Sequence, residues 1–467
     1  MSLKLDATAA RTGTRFRLFP QPRFLNAFRN PETVHINMPP GSIQAGPADN
    51  RMVVVDAVNK DPYDEFSGPP FLGLQNPAVT PGPDGHFDHL DLDSREFSCA
   101  TMYATVRRTL DIWEDYFGHS IPWHFEARFE RLEMIPLIDW DNAQSGFGFL
   151  EFGFGRTSSG GIDPNRPYCQ NFDVLAHELG HSIIFSQVGV PSSPLDEGID
   201  YGGMHESAGD LVAIVASLHF NSVVDHLLES TRGNLFTANE LARMGELSES
   251  REIRSAFNSL RMSDVGDEPH DRSEPLTGGF FDVMVEIYQK RLVARGLISQ
   301  SLATRSTQGP GGSPNTAGIQ AEFNALYAGH EEEFKEELLK ARDELGGLLA
   351  RTWQGLNPNF LTYHDIVRRL LQVDRQGETG GRHQQTIREC FAWRGITLPR
   401  GSRLMQSHSL VSCGLSADYD RHAELLEAKM ATAPAYAARS VELAAAVAVP
   451  VRAVPRTNSR KRAARQR

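Results

Sequence analysis

The residues best suited to chemistry are two histidines and a glutamate in the sequence His177-Glu178-Leu179-Gly180-His181. On a helix the histidines, four residues apart, lie on one face, so both imidazoles can point at a single ion. Zinc accepts such nitrogens at about 2 Å. Glu178 projects beside that ion without binding it, where its carboxylate can take a proton from water. The pattern therefore predicts zinc held by His177 and His181, with Glu178 as general base.

A catalytic zinc also needs a third protein ligand, which a second pair of acidic residues can supply. Glu206 and Asp210 are again four residues apart, at the start of the apolar stretch LVAIVASLHF. One carboxylate can bind the ion while the other accepts the free N–H of a ligand imidazole and so fixes its tautomer. A five-residue motif can occur by chance, but two such pairs in succession favour a real zinc site.

Hydrophobic periodicity indicates the elements that would hold these residues. Apolar residues recur at helical spacing in residues 101–117. Asn171 and Asp173 suit the start of a helix over 171–188, the first as a cap and the second as an acid in the first turn. The other predicted elements are strands over 123–137 and 145–155 and helices over 203–220, 277–295, 319–352 and 362–373.

Charge is distributed unevenly along the 467 residues. The formal net charge is −12, and residues 452–467 carry seven Arg or Lys and no acid, so the remainder sums to −12 − 7 = −19. So acidic a body argues against a nucleic-acid-binding core, and no nucleic-acid partner is expected. The basic end is expected to be a solubilising or unstructured tail.

Cysteine content and apolar runs exclude several classes of protein. The four cysteines are scattered and form no CxxC pair, which excludes a dense disulfide scaffold and a cysteine-rich zinc module. The longest apolar run, residues 443–451, is about half of what a membrane crossing needs, so no membrane span is expected. The first residues contain no apolar segment of a signal peptide. We therefore expect a cytoplasmic protein or one exported without a visible leader.

HELGH followed by ExxxD resembles the thermolysin-like zinc metallopeptidases, the gluzincin group. The resemblance implies that Glu206 is the third zinc ligand and that Asp210 holds a ligand imidazole. It also implies that His270, in the segment EPHDRSEPLTGGFFDVMVEIY, is a second catalytic histidine, which Asp264 or Asp267 could orient. Asp173 alone matches the family's calcium positions, which gives little support for Ca²⁺ as a cofactor.

Three further segments extend this resemblance to roughly residues 100–397. Asn142-Ala143 resembles the Asn-Ala of the family's substrate-binding edge strand, which implies that Asn142 would bond to a substrate backbone. Tyr201 is the nearest candidate for the transition-state tyrosine, although the family places it further from the third ligand. The sequence NPNFLTYHDIVRRLLQVDRQG…TIRECFAWRGI resembles the closing helices of the fungalysin branch.

The expected fold class is α+β, a two-lobed thermolysin-like metallopeptidase with the zinc helix between a sheet-containing N-terminal lobe and a helical C-terminal lobe. The edge strand is expected over 142–150. The predicted organisation is an irregular arm over 1–100, an α+β lobe with edge strand and zinc helix over 101–190, a mainly helical lobe over 191–400, and a low-complexity basic tail over 401–467.

The expected function is zinc-dependent hydrolysis of peptide bonds, with an endopeptidase as the first expectation and a peptide or protein as substrate. Two alternatives stay open. One is a zinc hydrolase that acts on a small non-peptide substrate. The other is a catalytically silent zinc-binding protein, although Glu178 argues against it because a purely structural site needs no general base. The sequence does not indicate an oligomeric state.

Overall fold

The structure, a computed structural model, describes residues 12–64, 66–157, 159–236, 243–244, 254–256, 258–307 and 317–398. Its strands are β1 (Thr14–Leu18), β2 (Glu32–Ile36), β3 (Met52–Val54), β4 (Leu132–Ile135), β5 (Ala143–Gly146), β6 (Phe149–Phe152), β7 (Phe154–Arg156), β8 (Ile162–Pro167), β9 (Arg243–Met244) and β10 (Arg254–Ser255). Its helices are α1 (Arg95–Phe117), α2 (Phe172–Gln187), α3 (Tyr201–Ser217), α4 (Asn221–Thr231), α5 (Pro269–Arg295), α6 (Gln300–Ser306), α7 (Ala317–Tyr327), α8 (Glu331–Trp353), α9 (Tyr363–Gln376) and α10 (Gln384–Trp393).

These residues form a mixed helix and sheet protein, which confirms the fold class at that level. The arrangement in two lobes stays a prediction. The division of the chain into four domains also stays a prediction. The basic tail predicted over 401–467 lies outside the described residues.

The largest sheet of the described residues has the strand order β3-β4-β6-β5. The first three strands are parallel and β5 pairs antiparallel with β6, with Ala143 opposite Phe152 and Gly146 opposite Phe149. β5 therefore lies at the edge of the sheet. The strand expected over 145–155 is instead two strands, because the chain reverses at Gly148, whose φ of 92° favours glycine. Of the strand expected over 123–137, only β4 is extended.

The described part of the segment predicted as an irregular arm, residues 1–100, contains three short strands, β1, β2 and β3. β1 and β2 form an antiparallel pair in which Phe16 faces Val34, and both are buried in the main core. The ring of Phe16 stacks on Phe87 at 4.7 Å and on Tyr103 of α1 at 5.7 Å. In the sequence TRFRL, buried residues alternate with partly buried arginines, which is strand periodicity hidden among prolines and glycines.

Two of the differences from the predicted helices have a clear local cause. The helix expected over 319–352 is two helices, because Gly329 between α7 and α8 adopts a φ of 83°. The helix expected over 277–295 begins earlier, at Pro269, since Glu268 accepts a hydrogen bond from the backbone N–H of Asp271 and proline suits the first helical position. His270 therefore lies in the first turn of α5.

Three of the four cysteines belong to the described residues. Cys99, Cys169 and Cys390 are free, and Cys413 lies outside the described residues.

In the described part of the chain, no single helix is long and apolar enough to cross a membrane. The pair α3 and α4, bent by 94°, meets that test of length and composition only when taken together.

Helices α2 and α3 cross at a pair of glycines. A Cβ atom on Gly180 would lie 2.8 Å from Gly209 Cα, and one on Gly209 would lie 2.7 Å from the His177 ring. Both distances are shorter than a carbon–carbon contact allows. The absence of side chains at these positions therefore sets how closely the two helices approach.

We expect Gly180→Ala to destabilise the protein by about 1–3 kcal/mol, because the added methyl group must push α3 away. Alanine's higher helix propensity, about 1 kcal/mol, offsets only part of this loss. Urea unfolding measures the change. Gly347→Ala on α8 is the control, because its Cβ would meet only the flexible end of Arg351, at 3.2 Å. Equal stability of the two variants would contradict close helix packing.

Candidate metal centre

Helix α2 presents both histidines of the motif on one face. Its first turn is capped by Asn171, whose side chain accepts from the backbone N–H groups of Asp173 at 3.1 Å and Val174 at 3.4 Å. The rings of His177 and His181 lie 4.8 Å apart and almost perpendicular, at 89°. The helix over 171–188 is thus confirmed, and with it the shared face of the two imidazoles.

Helix α3 brings Glu206 to these histidines. Oε2 of Glu206 lies 3.4 Å from His177 Nε2, and Oε1 lies 3.8 Å from His181 Nε2. One ligand atom from each of the three residues falls within 4.8 Å of the others. Ligands bound at about 2.0–2.2 Å in a tetrahedron lie about 3.3–3.6 Å from one another, so the group would contract by about 1 Å to hold one ion.

The carboxylate of Glu206 is partly buried among imidazoles, with 14% of its side chain exposed. Burial by itself would raise its pKa, but hydrogen bonding to His177 and the charges of His181, His270 and His177 lower the pKa well below its usual value. A carboxyl group held in its ionised form beside two imidazoles is a good ligand for a divalent cation.

Asp210 orients the first histidine. Its Oδ1 lies 3.0 Å from His177 Nδ1, and both side chains are buried. Accepting the Nδ1–H of His177 leaves the lone pair of Nε2 free to face an ion. The bare Gly209 beside Asp210 lets the imidazole lie against α3. The structure therefore brings Asp210 to the position that the sequence predicts.

Glu178 is buried, with 2% of its surface exposed. It occupies the same helix as the two histidines and directly follows His177. A buried carboxylate next to a cation is in a suitable place to exchange a proton. Its role as general base stays a prediction.

His270 joins the group from the first turn of α5. Its Nε2 lies 3.3 Å from Glu206 Oε2, and its Nδ1 lies 2.7 Å from Glu268 Oε1. Glu268 is the orienting partner that sequence reasoning missed. Asp264 and Asp267 have other partners, namely the Arg261 backbone N–H at 2.9 Å and the Arg272 guanidinium at 3.3 Å.

The position of Glu268 directly before Pro269 could have indicated its role, because proline favours the first position of a helix and an acidic residue before it can cap that helix. Its carboxylate both caps α5 and binds the His270 ring. Burial tends to raise the pKa of Glu268, but hydrogen bonds from the Asp271 backbone and from His270 lower it below the usual value. Glu268 therefore stays ionised where it meets the imidazole.

Tyr201 opens α3 and is fully buried. Its hydroxyl donates to the carbonyl of Gly189 at 2.7 Å and lies 3.0 Å from His205 Nε2. The ring of His205 in turn stacks on that of His181 at 5.8 Å. These contacts link Tyr201 through His205 to the ring of His181, while its predicted role at the oxyanion stays a prediction.

Asn142 and Ala143 lie at the head of the edge strand β5. Both are buried, and the carbonyl of Asn142 accepts from the Gly153 N–H at 2.8 Å. Further along β5, Ser145 Oγ lies 3.3 Å from Ser182 Oγ, and Ser182 directly follows His181. The edge strand therefore runs beside α2. Substrate contact by Asn142 and Ala143 stays a prediction.

Comparisons with known proteins give distant likeness only. No family model matches the chain, and no curated protein sequence matches it. Among solved structures, the chain is similar to one described as the precursor of protealysin, a metalloproteinase from Serratia proteamaculans. The two share 14% identity over 64% of this chain and 88% of that chain, with a TM-score of 0.33. The thermolysin-like resemblance thus stays a prediction from the motifs.

Asp173, in the first turn of α2, is buried. Its Oδ1 accepts from Gln21 Nε2 at 3.1 Å and from Ser217 Oγ at 3.3 Å. Burial raises its pKa from 3.8 to about 7, although both hydrogen bonds act in the opposite direction. Near neutral pH this carboxyl group is therefore partly protonated.

Asp173 predicts a pH dependence of stability. Between pH 4 and 7 the folded state, with its raised pKa, binds more protons at Asp173 than the unfolded state, so this residue's stabilising contribution falls as the pH rises. Asp173→Asn does not titrate. Its stability relative to the wild type should therefore increase by up to about 1.4 kcal/mol per pH unit across that window. Urea unfolding of both metal-free proteins measures this, and parallel stability curves would contradict it.

Proposed function

We propose that the protein is a zinc-dependent peptide hydrolase. The observation that carries the proposal is the approach of one ligand atom each from His177, His181 and Glu206 to within 4.8 Å. Two imidazoles and one carboxylate, with no thiolate among them, form a donor set that catalytic zinc uses, and they leave a fourth position open. These three residues would hold the ion.

When bound, zinc would lower the pKa of a water molecule towards about 7 and polarise the scissile carbonyl. Glu178 would accept a proton from the attacking water. The same carboxyl group would then deliver that proton to the departing amine. The nucleophile is water, so no covalent acyl-enzyme is expected.

His270 would donate a hydrogen bond to the oxyanion. With Nδ1–H donating to Glu268, Nε2 can donate only when the ring carries both protons. A charged donor that is already held in position stabilises the developing negative charge, because few groups must then reorganise during the reaction. Glu268 is thus a positioning residue, and Asp210 has the same relation to His177.

The edge strand favours a peptide over a small substrate. In the described part of the chain, β5 is paired on one side only, with β6, and its backbone can accept an extended peptide as a further strand. Ser145 and Ser182 place this strand directly against α2. A peptide bound along β5 would pass beside His181, and Asn142 would bond to its backbone.

We expect Glu178→Gln to bind zinc and to fold as the wild type does, yet to lose peptidase activity by about 10,000-fold or more. Gln is nearly isosteric, but an amide cannot accept the proton of water, and a general base contributes about 100- to 10,000-fold in one step. Hydrolysis of a mixed peptide library by the zinc-loaded proteins measures the loss.

Two further variants make this test specific. His177→Ala should lose zinc, which elemental analysis measures. Glu268→Gln should keep zinc, but its peptidase activity should fall by about 10- to 100-fold and the pH profile of that activity should change. Comparable cleavage by wild type and Glu178→Gln would contradict the mechanism. A zinc-loaded wild type that hydrolyses small esters or amides but no peptide would instead favour the non-peptide alternative, and no hydrolysis at all would favour the silent one.

A further inference from the structure

The first turns of three helices meet at one buried carboxylate, that of Asp200. Asp200 directly precedes α3, the helix that carries Glu206. Its Oδ1 lies 2.6 Å from both Nε and Nη2 of Arg272, in the first turn of α5. Its Oδ2 accepts the backbone N–H of Tyr363, the first residue of α9, at 2.7 Å. Asp200 therefore ties the starts of α5 and α9 to the start of α3.

The surroundings of Asp200 favour a negative charge at this point. Its side chain is 8% exposed, and the N-terminal end of each helix carries a partial positive charge. The N–H of Tyr363 has no acceptor inside α9, because the first N–H groups of a helix lack one. Asp200 makes no cap bond to α3 itself. Both of its oxygens thus serve the neighbouring helices.

Two glycines let these helix ends come close together. A Cβ atom on Gly202 would lie 3.0 Å from Cγ of Pro269. One on Gly203 would lie 2.2 Å from the hydroxyl of Tyr363, and that hydroxyl donates to the carbonyl of Arg272 at 2.8 Å. Arg272 is therefore held both by its side chain and by its backbone, so the first turn of α5 cannot leave α3 without breaking several bonds.

The position of His270 depends on this turn. His270 lies two residues before Arg272, and its Nε2 is 3.3 Å from Oε2 of Glu206 on α3. Glu268 holds the imidazole through Nδ1 at 2.7 Å, but Glu268 and His270 both belong to the start of α5 and would move together. A contact between the helices has to hold the turn itself, and Asp200 provides it.

We propose that Asp200 is a positioning residue for His270: its carboxylate fixes the first turn of α5 against α3 and so keeps the imidazole at the metal centre. This role rests on the proposed peptidase function. A donor to the oxyanion acts in the transition state, so loss of Asp200 should lower kcat and leave KM and zinc binding unchanged. The other acid at Arg272, Asp267, is 3.3 Å away with 78% of its side chain exposed, and an exposed pair of this kind contributes little.

Steady-state hydrolysis of a peptide by the zinc-loaded, full-length protein tests this role. Asp200→Asn is nearly isosteric but uncharged, and its kcat should fall by about 10- to 100-fold with KM and zinc content unchanged. Tyr363→Phe removes only the hydroxyl bond to Arg272, which should lower kcat by about two- to tenfold. Asp267→Asn is the matched control, and its kcat should stay within about twofold of the wild type.

A double-mutant cycle distinguishes positioning from a general structural defect. If Asp200 acts through His270, Asp200→Asn should cause no further loss of kcat in a His270→Ala background, whereas independent defects would add. Equal losses of kcat with and without His270 would overturn the proposal. So would a loss in Asp267→Asn as large as that in Asp200→Asn.

Hydrogen exchange measured by mass spectrometry separates this proposal from the proposed function, because it needs no activity. In Asp200→Asn, the amides of residues 270–276 should exchange at least about tenfold faster than in the wild type, while those of α2 keep their rates. A wild type that hydrolyses no peptide would contradict the peptidase function, and the exchange rates would still decide whether Asp200 holds α5. Unchanged exchange of residues 270–276 would overturn the proposal.

Discussion

The close approach of α2 and α3 at Gly180 and Gly209 is the constraint on which the rest of the candidate centre depends. A side chain at either position would separate the helices or displace the His177 ring. With the helices in contact, Glu206 lies 3.4 Å from Nε2 of His177 and Asp210 lies 3.0 Å from its Nδ1. The helical period places His177 and His181 on one face of α2, and Glu206 and Asp210 on one face of α3. The glycine contact brings these two pairs together.

The same contact concentrates buried charge that needs compensation. Asp210 is buried and the side chain of Glu206 is 14% exposed, and imidazoles are their nearest partners in the centre. A divalent cation would neutralise this acidic group, which makes metal binding and helix packing mutually dependent. A similar carboxylate–imidazole pair lies on α5, where the carboxylate of Glu268 both caps the helix and holds His270 facing Glu206. Three helices thus converge through carboxylate–imidazole pairs.

The sequence predicted best what local spacing determines. The shared face of His177 and His181 follows from the helical period, and the cap at Asn171 marks where that helix begins. Glu268 could not be distinguished from its acidic neighbours, because the choice depends on where α5 begins and therefore on the cap. The pairing of β1 with β2 was not predicted, because both strands are short and are stabilised by distant partners such as Tyr103. Whether the predicted substrate and oxyanion roles hold depends on a bound peptide rather than on spacing.

Zinc K-edge X-ray absorption of the zinc-loaded protein tests the central claim most directly, because it reports the atoms around the ion. We expect a four-coordinate zinc with two imidazole nitrogens at about 2.0–2.1 Å and oxygens at about 2.0–2.2 Å from one carboxylate and one exchangeable light ligand. His181→Ala should remove one imidazole from the spectrum. A sulfur shell at about 2.3 Å, or four protein ligands with no exchangeable position, would contradict an open hydrolytic centre at His177, His181 and Glu206.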